Sequence, residues 1–306
     1  RCMRKLDRME GCYYRIKNLY KNTVSIKTMK HKDPEAYMLL QENQKLRNAY
    51  LGERCFIVGN GPSIKNQNLS LLENEYVFTV NQSSRNPDFA KIKTTFHFWT
   101  DDNLFVIDET NRGDLAIIDI MKGVTTKDNQ PICFFPLRQR GFIKKFGLDK
   151  CLNVKYISPE LSWMYEGFDE TFDLTKHIPV FGTVVQFCLA AAIYMGFKEI
   201  YLLGCDNTGL INTITSLLNN NDGDNYCYNV SAEEKARMER TAKRNGLEKD
   251  TKSYLYNIRD YRILYEYCLK RKIKLFNCSG QTVIDSIPRL HYESVISKGK
   301  DDSDEK

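Results

Sequence analysis

At 306 residues the chain is long enough for one large α/β domain or two small ones, and one principal domain is expected. Its 42% hydrophobic and 12% aromatic content is ordinary for a globular protein, and no apolar run approaches the roughly 20 residues that cross a bilayer, which excludes a transmembrane helix. The formal net charge of +6 is not accompanied by a helix-turn-helix, zinc or aromatic RNA-binding signature, so nucleic acid is not among the expected partners.

The amino end carries much of the positive charge. Arg1, Arg4, Lys5, Arg8, Arg15, Lys17, Lys21, Lys27, Lys30, Lys32, Lys45 and Arg47 stand against few acids. Leu6, Met9, Tyr13, Ile16 and Tyr20 recur at spacings of three and four, which predicts an amphipathic helix with a basic polar face. Residues 1–50 therefore read as a basic helical arm. Three surfaces suit it: an anionic membrane, giving peripheral attachment to the inner membrane face; a partner subunit, giving a homo-oligomer; or the protein's own body. The first residue is Arg1 and not Met, which leaves a processed or truncated start open. Cysteines such as Cys55, Cys133, Cys188, Cys205 and Cys278 lie in apolar runs, with no Cys-x-x-Cys pair or secretory signal, and a reduced, cytoplasmic protein is expected.

The first strand signal is Cys55, Phe56, Ile57 and Val58, which runs directly into Gly59-Asn60-Gly61-Pro62-Ser63. Glycines permit positive φ and close backbone approach, Asn60 brings an amide, and Ser63 can cap a helix whose amino end attracts phosphate. The same residues also make a plain tight turn. Tyr76 to Val80 reads as a second buried strand ending at Asn81-Gln82, and Thr94 to Trp99 as a third, delivering Asp101 and Asp102. Ligands of open parallel sheets bind at such carboxyl ends. Two adjacent carboxylates there suit Mg²⁺ or a sugar hydroxyl, or a helix cap.

Between residues 104 and 178 the pattern weakens to two short strand signals, Pro131 to Leu137 and Val154 to Ile157, and a basic cluster of Arg138, Arg140, Lys144 and Lys145. That cluster faces either an anionic acceptor or solvent. From Gly182 and Thr183 a mostly apolar helix runs to Gly196, followed by the strand Glu199 to Leu203 and then Gly204-Cys205-Asp206. Residues 207–252 are polar and then highly charged, with Ser231 and Glu234 spaced as a capping box; they read as a lid or as a surface loop. Tyr254 to Lys270 is an amphipathic helix and Lys272 to Cys278 a final strand, which completes an alternating α/β chain over 51–297. The tail 298–306 has no apolar residue and is expected to be disordered.

Taken in order, Val58 to Ser63, Val80-Asn81-Gln82, Thr183 through Gly196 to Asp206, and Ile273 to Cys278 resemble the CMP-sialic-acid-dependent sialyltransferases of glycosyltransferase family 42 and their MptE-like (DUF115) relatives. The resemblance runs from about Gly52 to Ser279. It implies a Rossmann-like (GT-A variant) mostly parallel sheet flanked by helices, with a polar lid, acting on a nucleotide-sugar donor and a glycan or lipid-linked oligosaccharide acceptor. No cofactor is implied beyond the CMP-sugar substrate. Carried onto this chain, the donor-binding residues are Gly59, Asn60, Gly61, Pro62, Ser63, Asn81, Gln82, Gly182, Thr183 and Asp206.

Departures from that pattern bear on catalysis. Thr183-Val184-Val185 replaces Thr-Ser-Gly, Asn207-Thr208 stands where a phosphate-binding tyrosine is expected, and Asn225 takes the place of the lid histidine that serves as general base. An amide cannot accept that proton. The replacement is sought among His31, His97, His177, His291, Asp101, Asp102, Asp206 and Asp224. His97 lies inside a strand and reads as a core residue, while His177 precedes the Gly182 helix and can reach the site. The working assignment gives Asp102 or Asp206 the base role and lets Tyr226 and Tyr228 bind the leaving phosphate. Two further readings stay open. One is an MptE-like diphosphokinase with Mg²⁺ at Asp101 and Asp102. The other is a nucleotide-sugar-binding protein without catalysis.

Overall fold

A computed structural model describes residues 2–219, 226–241 and 246–297, with residues 2–8 as backbone alone. The expectations for Asp224, Asn225 and the 298–306 tail fall outside the described residues. Eight strands form one sheet: β1 (Arg54–Val58), β2 (Tyr76–Val80), β3 (Thr94–Phe98), β4 (Ile132–Pro136), β5 (Asn153–Leu161), β6 (His177–Pro179), β7 (Glu199–Leu203) and β8 (Lys274–Asn277). Every pairing is parallel, in the order β6-β5-β4-β3-β2-β1-β7-β8. β1, β2, β4 and β7 bury every residue after the first, which is why they read as unbroken apolar runs and not as alternating ones.

The two faces are covered unequally. One carries α6 (Val184–Met195), which is apolar on all sides and has ten of its residues buried, sandwiched between the sheet and α9 (Leu247–Lys270). Phe78, Phe96, Phe98 and Phe134 of the sheet pack there with Leu189, Phe197, Tyr261 and Leu264. On the other face, α4 (Arg112–Lys122) and α5 (Arg140–Lys145) cover β4 through Ile117, Met121, Phe135 and Ile143. Near β1 that face holds Phe56, Val58, Leu203 and Tyr292. The links from β1 to β2 and from β2 to β3 are 3₁₀ turns without an α-helix. The helix expected to be capped by Ser63 is the five-residue 3₁₀ turn Pro62–Asn66, with Gly61 as its N-cap.

The amino-terminal segment forms α1 (Cys2–Tyr20), a π-helical turn Lys21–Ser25, α2 (Ile26–Lys32) and α3 (Pro34–Gln41). α1 does not dock through its apolar stripe: Met9, Tyr13, Ile16, Leu19 and Tyr20 are all more than 60% exposed. It docks through its other side, where Tyr14 stacks on Tyr165 and the buried Asn18 accepts from Ser162 N at 3.2 Å. α3 and the turn after it are woven into the sheet's edge. Ala36 and Leu40 are buried, and Asn43 donates to the carbonyls of Tyr156 and Leu174 at 2.6 and 2.9 Å. Among the described residues no helix is long and apolar enough to cross a membrane.

Candidate functional site

The chain lays β1 to β6 outward in one direction, returns through α6, and places β7 on the other side of β1. The order of strands thus reverses between β1 and β7, and ligands of such sheets bind at the carboxyl ends of the strands there. A pocket of about 430 Å³ lies at those ends. Its walls are Gly59, Asn60, Gly61 and Pro62 after β1; Val80 and Asn81 after β2; Gly204 to Gly209 after β7; Thr183, Val184 and Val185 at the start of α6; Thr213 of α7 (Gly209–Asn219); and Tyr226, Tyr254 and Tyr261.

The glycine turn after β1 faces the neighbouring turn. Gly59 N donates to Leu203 O at 2.7 Å and Gly61 N to Gly204 O at 2.8 Å, so both N–H groups are committed within the fold. A β-carbon on Gly59 would fall 2.5 Å from Gly204 O, and one on Gly204, itself at φ +57°, 2.8 Å from Gly59 O. Gly59 and Gly61 have no positive φ; they are glycines because two backbones touch. Asp206 locks the same seam. Its buried carboxylate accepts from Ser63 N at 2.8 Å, from Ser63 Oγ, and from Gln281 Nε2 at 3.3 Å. Asp206 lines the pocket, with both carboxylate oxygens engaged by donors of the fold, so the geometry does not offer it to a substrate hydroxyl as the sequence expectation of a base calls for. Ser63 is buried and bound to Asp206, and it does not reach the lining.

Asn60 lines the pocket with its amide engaged on both sides, Nδ2 donating to Val80 O at 3.0 Å and Oδ1 accepting from Ser83 Oγ at 2.9 Å. Asn81 sits at φ +45°, a conformation that asparagine tolerates, and its buried Oδ1 has no hydrogen-bond partner. Gln82 points away from the pocket. Its Nε2 donates to Glu234 Oε1 at 2.8 Å, and Arg85 Nη1 donates to Glu234 Oε2 at 2.6 Å.

Glu234 belongs to α8 (Ala232–Thr241), whose start Ser231 caps as expected, accepting from Glu234 N at 3.2 Å. Arg237 and Arg240 of the same helix pair with the buried Asp114 of α4, and Arg237 also donates to Asn103 O. α8 is thus clamped onto the segments at the sheet's carboxyl edge. Cys227 N donates to Asn60 O at 2.9 Å, which brings Tyr226 to the pocket. Tyr228 stacks on Tyr226 with centroids 5.2 Å apart and lies under Arg85, outside the lining. Burial, with the Asp101 charge next in weight, raises the Tyr226 phenol above its ordinary range, and burial raises Tyr254, so both stay protonated as donors.

α6 points its amino end at the pocket. Thr183 is its N-cap and hydrogen-bonds Tyr261 Oη at 3.0 Å. Gly182 lies behind it, its N–H committed to Gln186. Asp101 and Asp102, adjacent in sequence, have separate fates. Asp102 is clamped by Arg138, whose Nη2 reaches both carboxylate oxygens at 2.7 and 2.8 Å. Asp101 accepts from Asn103 N at 3.0 Å and caps the turn that follows, with part of its surface still open to solvent. The protein around it raises its carboxyl above the usual range, with Asp102 adding to the rise and Asn103 and Arg237 opposing it. The basic cluster is ion-paired throughout: Arg138 with Asp102, Arg140 with Asp33, Lys144 with Glu35 and Lys145 with Glu109.

No histidine reaches the pocket. His177 is buried on β6 at the far edge of the sheet between Ser158 Oγ (2.7 Å) and Ser25 Oγ (3.0 Å), and burial lowers its pKa to about 4. This removes it from the set of bases. His97 is a satisfied core residue, bonded to Thr79 and to Asn81 O, and His31 and His291 are exposed. The lining residues that sequence reasoning passed over are Thr213, Tyr254 and Tyr261. The two tyrosines lie seven residues apart, on one face of α9, and that spacing reads equally as core packing.

The family model described as 6-hydroxymethylpterin diphosphokinase MptE-like matches residues 17–209. No curated protein matches the chain. Among solved structures, it is similar to the sialyltransferase CstII from Campylobacter jejuni in complex with cytidine-5'-monophosphate, at 17% identity and a TM-score of 0.44 over 78% of this chain and 85% of that one. It is also similar to sialyltransferase CST-II with trisaccharide acceptor and CMP, at 19% identity and 0.42 over 78% and 86%. A third, the MAf glycosyltransferase of Magnetospirillum magneticum AMB-1, is 17% identical with a TM-score of 0.42 over 88% of this chain and 41% of that one. The matched span holds β1 to β7 and both turns of the glycine seam, and the chain belongs to the MptE-like family.

Proposed function

We propose that the protein is a glycosyltransferase that moves a sialic-acid- or Kdo-like sugar from a CMP-activated donor to a glycan or lipid-linked oligosaccharide acceptor by single displacement. The observation that carries this reading is the lining of the switch-point pocket. Among the described residues it consists of amides, hydroxyls, phenols and the amino end of α6, with no Lys or Arg and with one carboxylate, Asp206, turned into the fold. Such a lining suits a phosphodiester with a single negative charge, which neutral donors and a helix amino end can balance. Tyr226 and Tyr254 would donate to the phosphate as charge develops on the departing CMP.

Asp101 takes the base role in this scheme, in place of Asp102 and Asp206. It lies outside the pocket lining but near enough for its charge to act on the lining residue Tyr226, it is exposed to solvent, and its pKa is raised. The acceptor hydroxyl gives its proton to Asp101 while its oxygen bonds to the anomeric carbon. The bond from that carbon to the phosphate oxygen breaks, and its electron pair leaves with CMP.

A second reading, diphosphate transfer from a nucleoside triphosphate, draws on the family's description. The Mg²⁺ it calls for would fall to Asp101 and Asp102, and these do not fit it. Arg138 occupies both oxygens of Asp102, and among the described residues no group of three or more His, Cys, Asp or Glu is placed to hold a metal. Calorimetric titration with CMP, UMP, GDP and ATP, each with Mg²⁺ and with EDTA, separates the readings. Selective, metal-independent CMP binding is expected, and Mg²⁺-dependent ATP binding would sink the proposal. CMP binding with no turnover of any CMP-sugar would leave a binding protein without catalysis.

A further inference from the structure

A relay of three side-chain amides ends in the pocket, and its polarity is fixed from behind. Gln186 Oε1 accepts from the backbone N–H groups of Gly182 (3.1 Å) and Thr183 (3.2 Å). Backbone N–H groups cannot change sign, so Gln186 must present Nε2 on its other side. That nitrogen donates to Asn257 O at 2.9 Å and to Asn257 Oδ1 at 3.1 Å. Asn257 Nδ2 is then forced outward and donates to Asn207 Oδ1 at 3.0 Å. Asn207 lines the pocket, and with its oxygen consumed its remaining group is Nδ2, which is buried and has no hydrogen-bond partner.

Two further features say what that nitrogen awaits. Asn207 sits at φ +55°, the left-handed conformation that asparagine tolerates and that Asn81 also adopts. Beside it in the lining are the hydroxyl of Thr208 and the start of α6 at Val184 and Val185, where helical N–H groups lack intrahelical acceptors. Donors thus converge from α6 and the β7 loop, with no cation in the lining among the described residues.

We propose that Asn207 Nδ2 is a phosphate-recognising donor, and that Asn257 and Gln186 are positioning residues that hold it in the donating orientation. The inference rests on the reading of the pocket as a nucleotide site, but it concerns the phosphate end and is independent of the base attached to it. Asn207 follows Asp206 in the chain, so the expected phosphate-binding tyrosine gives way here to an amide whose sign is set three residues deep.

The test is isothermal titration of wild type, Asn207→Gly, Asn207→Asp and Asn257→Asp with CMP, UMP, GMP and AMP, each beside its nucleoside. Asn207→Gly suits the positive φ and keeps the fold testable. Asn257→Asp leaves Asn207 in place but removes the donor that holds its oxygen. Expected is a loss of about 10- to 100-fold in monophosphate affinity in all three variants, with nucleoside affinity unchanged. A purely structural role would move both ligands together. The proposal is overturned if the variants keep the wild-type ratio of monophosphate to nucleoside affinity, or if the wild type shows no such preference for any base. A wild type that prefers a purine monophosphate, with that preference abolished in the variants, would support the relay and defeat the CMP reading.

Discussion

Gly61 and Asp206 are in contact where a side chain has no room: a β-carbon on Gly61 would lie 2.5 Å from Asp206 Cγ and 2.6 Å from Gly204 O. Both obstacles are fixed, the carboxylate by its three donors and the carbonyl by the Gly61 N–H bond. Gly61→Ala is therefore expected to destabilise the protein by about 2–3 kcal/mol, the range for forcing volume into a packed site. Urea unfolding checks it. Gly141, on α5 with nothing within 4 Å of its added carbon, is the control, and Gly141→Ala is expected to leave the midpoint unchanged or raise it slightly.

The two neighbouring carboxylates separate kinetically under the glycosyltransferase proposal. Asp101→Asn is expected to lower kcat by about 10²- to 10⁴-fold with little change in Tm, the usual size of a lost general base. Asp102→Asn breaks a surface pair with Arg138 and is expected to keep turnover near wild type. The base must be ionised, so kcat/KM falls as pH drops through the Asp101 pKa, and that limb lies above the ordinary carboxylate range. Equal turnover in wild type and Asp101→Asn would remove Asp101 from the mechanism.

Asp260 on α9 is fully buried, neither oxygen has a hydrogen-bond partner, and burial raises its pKa to about 8, against a small opposing effect of Arg259. The carboxyl is protonated in the fold and ionised in the unfolded chain above about pH 4. Stability from this group is complete below the unfolded pKa and falls as pH rises toward 8, because the unfolded state binds fewer protons over that window. Asp260→Asn is expected to gain Tm over wild type at pH 8 and to show no advantage near pH 4. A pH-independent difference would contradict this account.

Glu234 joins α8 to the segment after β2 through Gln82 and Arg85. Glu234→Gln removes the charge that Arg85 faces, at a cost of about 1–3 kcal/mol for a half-buried pair. Amide exchange in α8 and in the segment holding Tyr226 to Val230 is expected to quicken, with β4 and β5 unchanged. Uniform protection across the molecule would show that the clamp carries no local stability.

How far the sequence spoke depended on which force shaped each element. Strands buried on both faces announce themselves as apolar runs, so β1, β2 and β7 were legible to the residue or nearly so. β6 was not: three residues ending in Pro179 make no pattern, and His177, read as preceding the Gly182 helix within reach of the site, is a buried residue of the strand at the far edge. Gly59 to Ser63 was legible as a special turn, but the backbone across the seam that its glycines accommodate was not. Tyr254 and Tyr261 were invisible as lining because a helix that buries one face writes the same periodicity whether that face meets core or cavity.

The β1–β7 pairing, from Arg54↔Glu199 to Val58↔Leu203, joins strands that five others separate in the chain. β1 to β6 each pair with a sequence neighbour, and such contacts close short loops. The seam closes a long one, and non-local pairings of that kind carry the larger entropic cost in folding. During synthesis the outer sheet has all its strands before β7 exists, while the pocket has only one of its two principal walls. Ligand recognition is therefore a property that this chain acquires only once its second half has been made.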